Sequence, residues 1–99
     1  MTLRVRFTKR AAAEVGRADA WWRENRTSAP RAIREDLASA LELLRAQPGI
    51  GRSVENAKLG GTRRIQLDRV KYHVYFRVGG EELVVLAFWH AERGQEPAV

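Results

Sequence analysis

The chain of 99 residues carries 18 Lys plus Arg against 12 Asp plus Glu, a formal net charge of +6 with both histidines neutral. That length holds one domain, residues 1–99, and 44% hydrophobic residues supply one modest core, which excludes a large buried active site. The absence of cysteine excludes disulfide staples, thiolate metal sites and a Cys nucleophile and fits a reducing cytoplasm, and the longest apolar run, Leu83 to Trp89, falls far short of the ~20 residues of a membrane-crossing helix.

The first residues, Met1 to Phe7, alternate charge with bulk instead of running continuously apolar like a secretion signal, so a mature cytoplasmic chain is expected to begin here. Leu3, Val5 and Phe7 fall on one side of an extended segment and Arg4 and Arg6 on the other, the period of a half-buried strand. From Lys9 the period changes. Thr8 can cap a helix, and Ala11, Val15, Ala18 and Trp22 then form one helical stripe, with Arg10, Arg17, Asp19 and Glu24 assigned to other faces. Asn25 to Ala29 reads as a polar break.

Ser28 followed by Pro30 predicts the next helix start, with the serine as cap and the proline in the first turn. Ile33, Leu37, Ala40, Leu41 and Leu44 give a second, stronger stripe, which Gln47-Pro48-Gly49 ends. Two amphipathic helices so closely joined predict an antiparallel hairpin lying on a sheet. Ile50 to Gly61, with Gly51, Asn56, Gly60 and Gly61, predicts a loop ending in a turn.

The remainder has strand periodicity. Ile65 and Leu67 alternate with Arg64 and Gln66; Asp68-Arg69 turns the chain; Val70, Tyr72, Val74, Phe76 and Val78 alternate with Lys71, His73, Tyr75 and Arg77. Gly79-Gly80 signals a hairpin, and Leu83 to His90 is apolar on both parities, as expected of a central strand covered on both faces. The expected fold is α+β: a strand, a helical hairpin on one face of the sheet, then a three-stranded antiparallel meander.

Few residue patterns point to catalysis. His73 and His90 show no metal-ligand spacing, and the chain lacks the phosphate-cradling G-x-x-x-x-G-K-[ST], the G-x-S-x-G elbow and G-x-G-x-x-G. Neither metal nor cofactor is expected. Ser28, Ser39 and Ser53 have readier uses as a cap, a helix surface and a loop. Fifteen of the basic residues are Arg, whose planar fork pairs with carboxylates and phosphates alike, so an acidic protein and a nucleic acid are both open as partners.

The polar parity of the meander, Arg64, Gln66, Lys71, His73, Tyr75 and Arg77 with His90 at the end of the last strand, shares one sheet face if register permits. Such a face could hold a phosphodiester, move protons through His and stack a base on Tyr75, which would make a metal-free ribonuclease with Arg64, His73, Arg77 and His90 as its residues. A solvated or partner-covered polar sheet face explains the same pattern and is the simpler reading. Trp22 and Trp89 suit core anchoring, whereas Trp21 lies about 100° around the helix and suits a protein interface.

Taken together, the element order, Gln47 to Gly51 after the second helix, Thr62-Arg63-Arg64-Ile65, the stretch from Tyr72 to Val78 and the ending Phe88-Trp89-His90-Ala91-Glu92-Arg93 resemble the RelE/ParE superfamily of type II toxin–antitoxin (plasmid stabilisation) toxins. The resemblance spans nearly the whole chain. The His-x-x-Arg ending, His90 and Arg93, is most similar to the ParE branch, with Tyr72 as a further motif position. This likeness implies a toxin blocked by an acidic, partly disordered antitoxin, and in the ParE branch an inhibitor of DNA gyrase without catalytic residues. In the RelE branch it implies a nuclease cutting messenger RNA on the ribosome. Lys71 is the only lysine of the meander and the residues after Arg93 include no Tyr, which departs from the RelE pattern. A homologue that binds antitoxin but is no longer toxic is a third reading. Arg10, Arg17, Trp21, Arg64, Lys71 and Arg77 are the expected antitoxin contacts.

Overall fold

The structure, a computed structural model, describes residues 2–99. The elements are β1 (Arg4–Phe7), α1 (Lys9–Asn25), α2 (Ala32–Ala46), β2 (Arg52–Ser53), β3 (Arg63–Leu67), β4 (Tyr72–Gly79) and β5 (Glu82–His90). The strands make one sheet in the order β1-β5-β4-β3-β2; β1 runs parallel to β5 and every other pair is antiparallel. The expected α+β class, hairpin and meander are all present.

The helices cover one face because each carries an apolar stripe. Ala11 and Ala18 of α1 and Ile33, Leu37, Ala40 and Leu44 of α2 are buried with Val74, Phe76, Leu83, Val85 and Phe88 of the sheet. Val15, Trp22 and Leu41 pack around them, as do Leu3, Val5 and Phe7 at the sheet edge. Removing a side chain such as Leu44 or Phe76 from water contributes about 1.5–3 kcal/mol. Thr8 caps α1 as expected, its Oγ1 accepting from the Ala11 N–H at 3.1 Å.

Six sequence expectations need correction. Trp89, expected to anchor the core, pairs with His73 on the face away from the helices and lies under the Arg10 and Arg93 guanidinium groups. Arg52–Ser53, assigned to a loop, pairs with β3 as a fifth strand. Gly51 permits this: it adopts φ +107°, and a Cβ there would stand 2.8 Å from the Arg64 carbonyl oxygen. Ser28 does not cap α2, which begins at Ala32 after turns closed by Ala29 N–H to Arg26 O and Ala32 N–H to Ala29 O; its N-cap, Arg31, makes no side-chain cap bond. The β3–β4 turn includes Val70 and Lys71, with Lys71 N–H donating to Leu67 O at 2.8 Å and Lys71 itself at φ 63°, so Lys71 is not a strand residue.

Asp19, assigned to a face other than the apolar stripe, is buried beside Arg34 and Arg23, whose Nε atoms lie 2.8 and 3.2 Å from its Oδ2. Finally, β5 is apolar on both parities partly because its parity changes. Tyr75 pairs with Ala87 but Phe76 pairs with Val85, leaving Leu86 as an extra residue. This bulge moves the helix-facing positions from Leu83 and Val85 to Phe88 and His90.

Candidate functional site

The bulge decides the site. Because His90 pairs with Tyr72 across the β4–β5 ladder, it stands on the helix side, not with Arg64, His73 and Arg77 on the outer face. The four residues of the ribonuclease reading are therefore not assembled on one face. On the outer face each of the other three already has a partner: Arg64 Nη1 donates to Tyr75 OH at 3.2 Å, His73 Nε2 lies 3.2 Å from Gln66 Oε1, and Arg77 Nε donates to Gly60 O at 3.3 Å. Burial, helped by the Arg64 charge and opposed by Glu96, pushes the His73 imidazole below its ordinary value.

On the helix side the end of the sheet opens into a cleft of about 450 Å³ lined by Trp21, Trp22, Val70, Lys71, Tyr72 and His90 together with the charged Arg26, Arg69 and Glu92. A second hollow of about 260 Å³ shares Trp21, Tyr72 and His90 and adds Glu14, Arg17 and Arg93. Helix α1 supplies the tryptophans from its last turns, the β3–β4 turn supplies Lys71, and the strand ends supply Tyr72 and His90. All three motif positions, Tyr72, His90 and Arg93, meet here with three expected partner contacts, Arg17, Trp21 and Lys71.

The aromatic groups fix one another. Tyr72 stacks on Phe88 with ring centroids 4.5 Å apart and planes 7° from parallel, and meets His90 edge-on at 5.0 Å. His90 Nδ1 accepts from the Glu92 N–H at 3.1 Å, which leaves the ring proton of the neutral form on Nε2. Burial pushes the Tyr72 phenol above its ordinary value, against the opposing Arg93 charge, so it stays a neutral donor. Trp21 and Trp22 lie edge to face at 6.1 Å, with the Arg26 guanidinium 5.0 and 5.7 Å from their rings. Trp21 is 47% exposed.

This arrangement offers flat apolar walls rimmed by cations, the composition that anchors protein partners. The remaining expected contacts lie elsewhere: Arg64 and Arg77 on the outer face, and Arg10 beside Trp89, 5.7 Å from its ring. Among the described residues no three His, Cys, Asp or Glu come together as a metal-binding group.

Two residues at this end escaped sequence reasoning. Glu14 accepts the Phe88 N–H at 2.8 Å, occupying the β5 edge beyond the end of β1, and pairs with Arg10 at 3.2 Å. Asp19 links α1 to α2 through Arg34. The signal was available, since Glu14 falls between Ala11 and Ala18 at helical spacings of three and four, and Asp19 likewise between Val15 and Trp22.

The model of the family described as the ParE toxin of type II toxin–antitoxin system, parDE, matches residues 5–94, and the chain belongs to that family. Its fold is similar to that of a chain from the chromosomal ParDE TA system of P. aeruginosa, at TM-score 0.71 and 22% identity over 92% of this chain and 98% of that one. It is also similar to YoeB from Staphylococcus aureus, solved as a dimer, at TM-score 0.55 and 15% identity over 91% of this chain and 98% of the other. Comparison with curated proteins gives no match. A ParE-type toxin is one half of a pair, so an antitoxin is its implied partner. Among the described residues no helix is long and apolar enough to cross a membrane.

Proposed function

We propose that this protein is a cytoplasmic toxin that inhibits DNA gyrase by binding it, and that an acidic, partly disordered antitoxin neutralises it. The observation that carries this reading is the family match over residues 5–94. The cleft supports the antitoxin half: Trp21 and Tyr72 offer an anchor site to a segment that orders on binding, and Arg17, Lys71 and Arg93 favour an acidic one. The separation of His90 from Arg64, His73 and Arg77 argues against the ribonuclease alternative. Purified protein incubated with gyrase and a supercoiling substrate is expected to stop supercoiling or trap a cleavage complex, and equimolar antitoxin to reverse this. Undisturbed supercoiling at excess protein, together with new 5′ ends on translated mRNA in primer extension, would overturn the proposal in favour of the nuclease. Loss of both activities in a chain that still binds antitoxin would identify a non-toxic homologue.

A further inference from the structure

Strand register sets four polar side chains of the outer face side by side. Arg52 of β2 stands directly opposite Arg64 of β3, and Gln66 of β3 directly opposite His73 of β4. A hollow of about 260 Å³ is lined by these four residues. The nearby acids Glu55 and Glu96 line a neighbouring hollow that shares Arg52 and Arg64.

Like charges directly opposite across two strands destabilise a sheet, and here nothing close by neutralises them fully. Arg64 Nη1 donates to Tyr75 OH at 3.2 Å and lies 3.4 Å from Glu96 Oε1, an exposed carboxylate whose pairing holds weakly. Among the described residues the other Arg64 nitrogens and the whole Arg52 guanidinium donate to no further group. An amide oxygen only accepts, so the 3.2 Å contact of Gln66 Oε1 with His73 Nε2 takes the ring proton and leaves the Gln66 NH2 group to donate elsewhere. The hollow therefore gathers free donors and positive charge without a carboxylate of its own. Two guanidinium forks and an amide together satisfy three or more oxygens, which matches a tetrahedral phosphate better than the two oxygens of a carboxylate. The volume falls below the ~300–1,000 Å³ of sites that enclose a drug-sized ligand, so it suits the phosphate group and not the whole molecule that carries it.

We propose that Arg52, Arg64, Gln66 and His73 form a binding site for a phosphate group, supplied by a nucleic-acid backbone or as free phosphate. The net charge of +6 draws either anion towards the protein. The site binds and does not cleave: His73 is the one proton carrier lining the hollow, and its ring proton is held by Gln66, so no acid is paired with a base there. It is separate from the Trp21–Tyr72 cleft, and the proposal does not depend on the identity of the gyrase or antitoxin partners.

The test follows the Nε–H signals of Arg52 and Arg64 and the Gln66 side-chain amide of the full chain by NMR, while inorganic phosphate replaces chloride at constant ionic strength. All three should move together along one saturating curve. Arg52→Gln removes one fork from an exposed position of an edge strand, so the fold should persist while phosphate affinity falls roughly tenfold or more. Arg52→Lys keeps the charge without the fork and should lose affinity severalfold. A short, fluorescently labelled DNA duplex then separates the sources: salt-sensitive binding that weakens in Arg52→Gln identifies the backbone, whereas phosphate binding without duplex binding identifies the free ion. Shifts that do not saturate, equal phosphate affinity in wild type and Arg52→Gln, or acetate binding as tightly as phosphate would each overturn the proposal.

Discussion

Replacing Glu14 by Ala tests how the first helix is fastened to the sheet. Strand β1 ends opposite Val85, so the β5 edge from Leu86 onward needs other partners: Thr8 Oγ1 lies 3.4 Å from Leu86 O, and Glu14 Oε1 accepts the Phe88 N–H at 2.8 Å. Phe88 is 2% exposed, so truncation leaves its N–H without an acceptor and without water, at a cost of about 1–3 kcal/mol. The pair with Arg10 adds little, since Arg10 is partly exposed and such pairs contribute about 0–1 kcal/mol. A total near 2 kcal/mol in a domain of this size lowers Tm by roughly 8–16 °C. Thermal denaturation followed by circular dichroism measures it, and the Phe88 amide should lose its hydrogen-exchange protection. Glu14→Gln keeps an oxygen acceptor and should lose only about 1 kcal/mol. If the Ala variant melts with wild type, or Gln is as damaging as Ala, the acceptor role is wrong.

Gly51→Ala places a Cβ against the Arg64 carbonyl at φ +107° and should destabilise by roughly 1–3 kcal/mol, read as a lower urea midpoint; an unchanged midpoint would show that β2 pairing does not need glycine there. The His73 imidazole titrates below its unfolded value of 6.5, so the unfolded chain takes the proton first, and this group's contribution is intact above about 6.5 and declines as pH falls towards the folded value. His73→Gln should therefore narrow the difference in urea midpoint between about pH 7.5 and about pH 5, and an unaltered difference refutes the assignment. Trp21→Ala should cost less than about 1 kcal/mol of stability, because the residue is half exposed and its Arg26 contact is a surface one. In titration calorimetry with the cognate antitoxin it should weaken binding by about 2 kcal/mol, roughly 30-fold, and undiminished affinity would remove the cleft from that interface.

Much of the chain was open to reading before any coordinates. The Leu3, Val5, Phe7 alternation, the two helical stripes and the Tyr72 to Val78 alternation each became the element their period predicts. The misreadings have physical causes. Arg52–Ser53 is a two-residue edge strand, too short to show alternation, and is recognisable only from its pairing with β3. Ser28 is of the right type for a cap, but Pro30 and Arg31 lie in the turn before the helix begins. Glu14 and Asp19 occupy buried stripe positions where charge argues for solvent, and their partners, Phe88 N–H and Arg34, are remote in sequence.

Local sequence determined this protein's elements, their apolar faces and the excess of cations, because side-chain periodicity and turn chemistry act over a few residues. Which residues share a surface was decided by the tertiary structure alone. One extra residue at Leu86 moves every later β5 side chain to the opposite face, taking His90 away from Arg64 and His73 and placing it against Tyr72 below Trp21. Strand parity has a period of two, so a single bulge redistributes the functional groups, and nothing in the run from Leu83 to His90 marks where it falls.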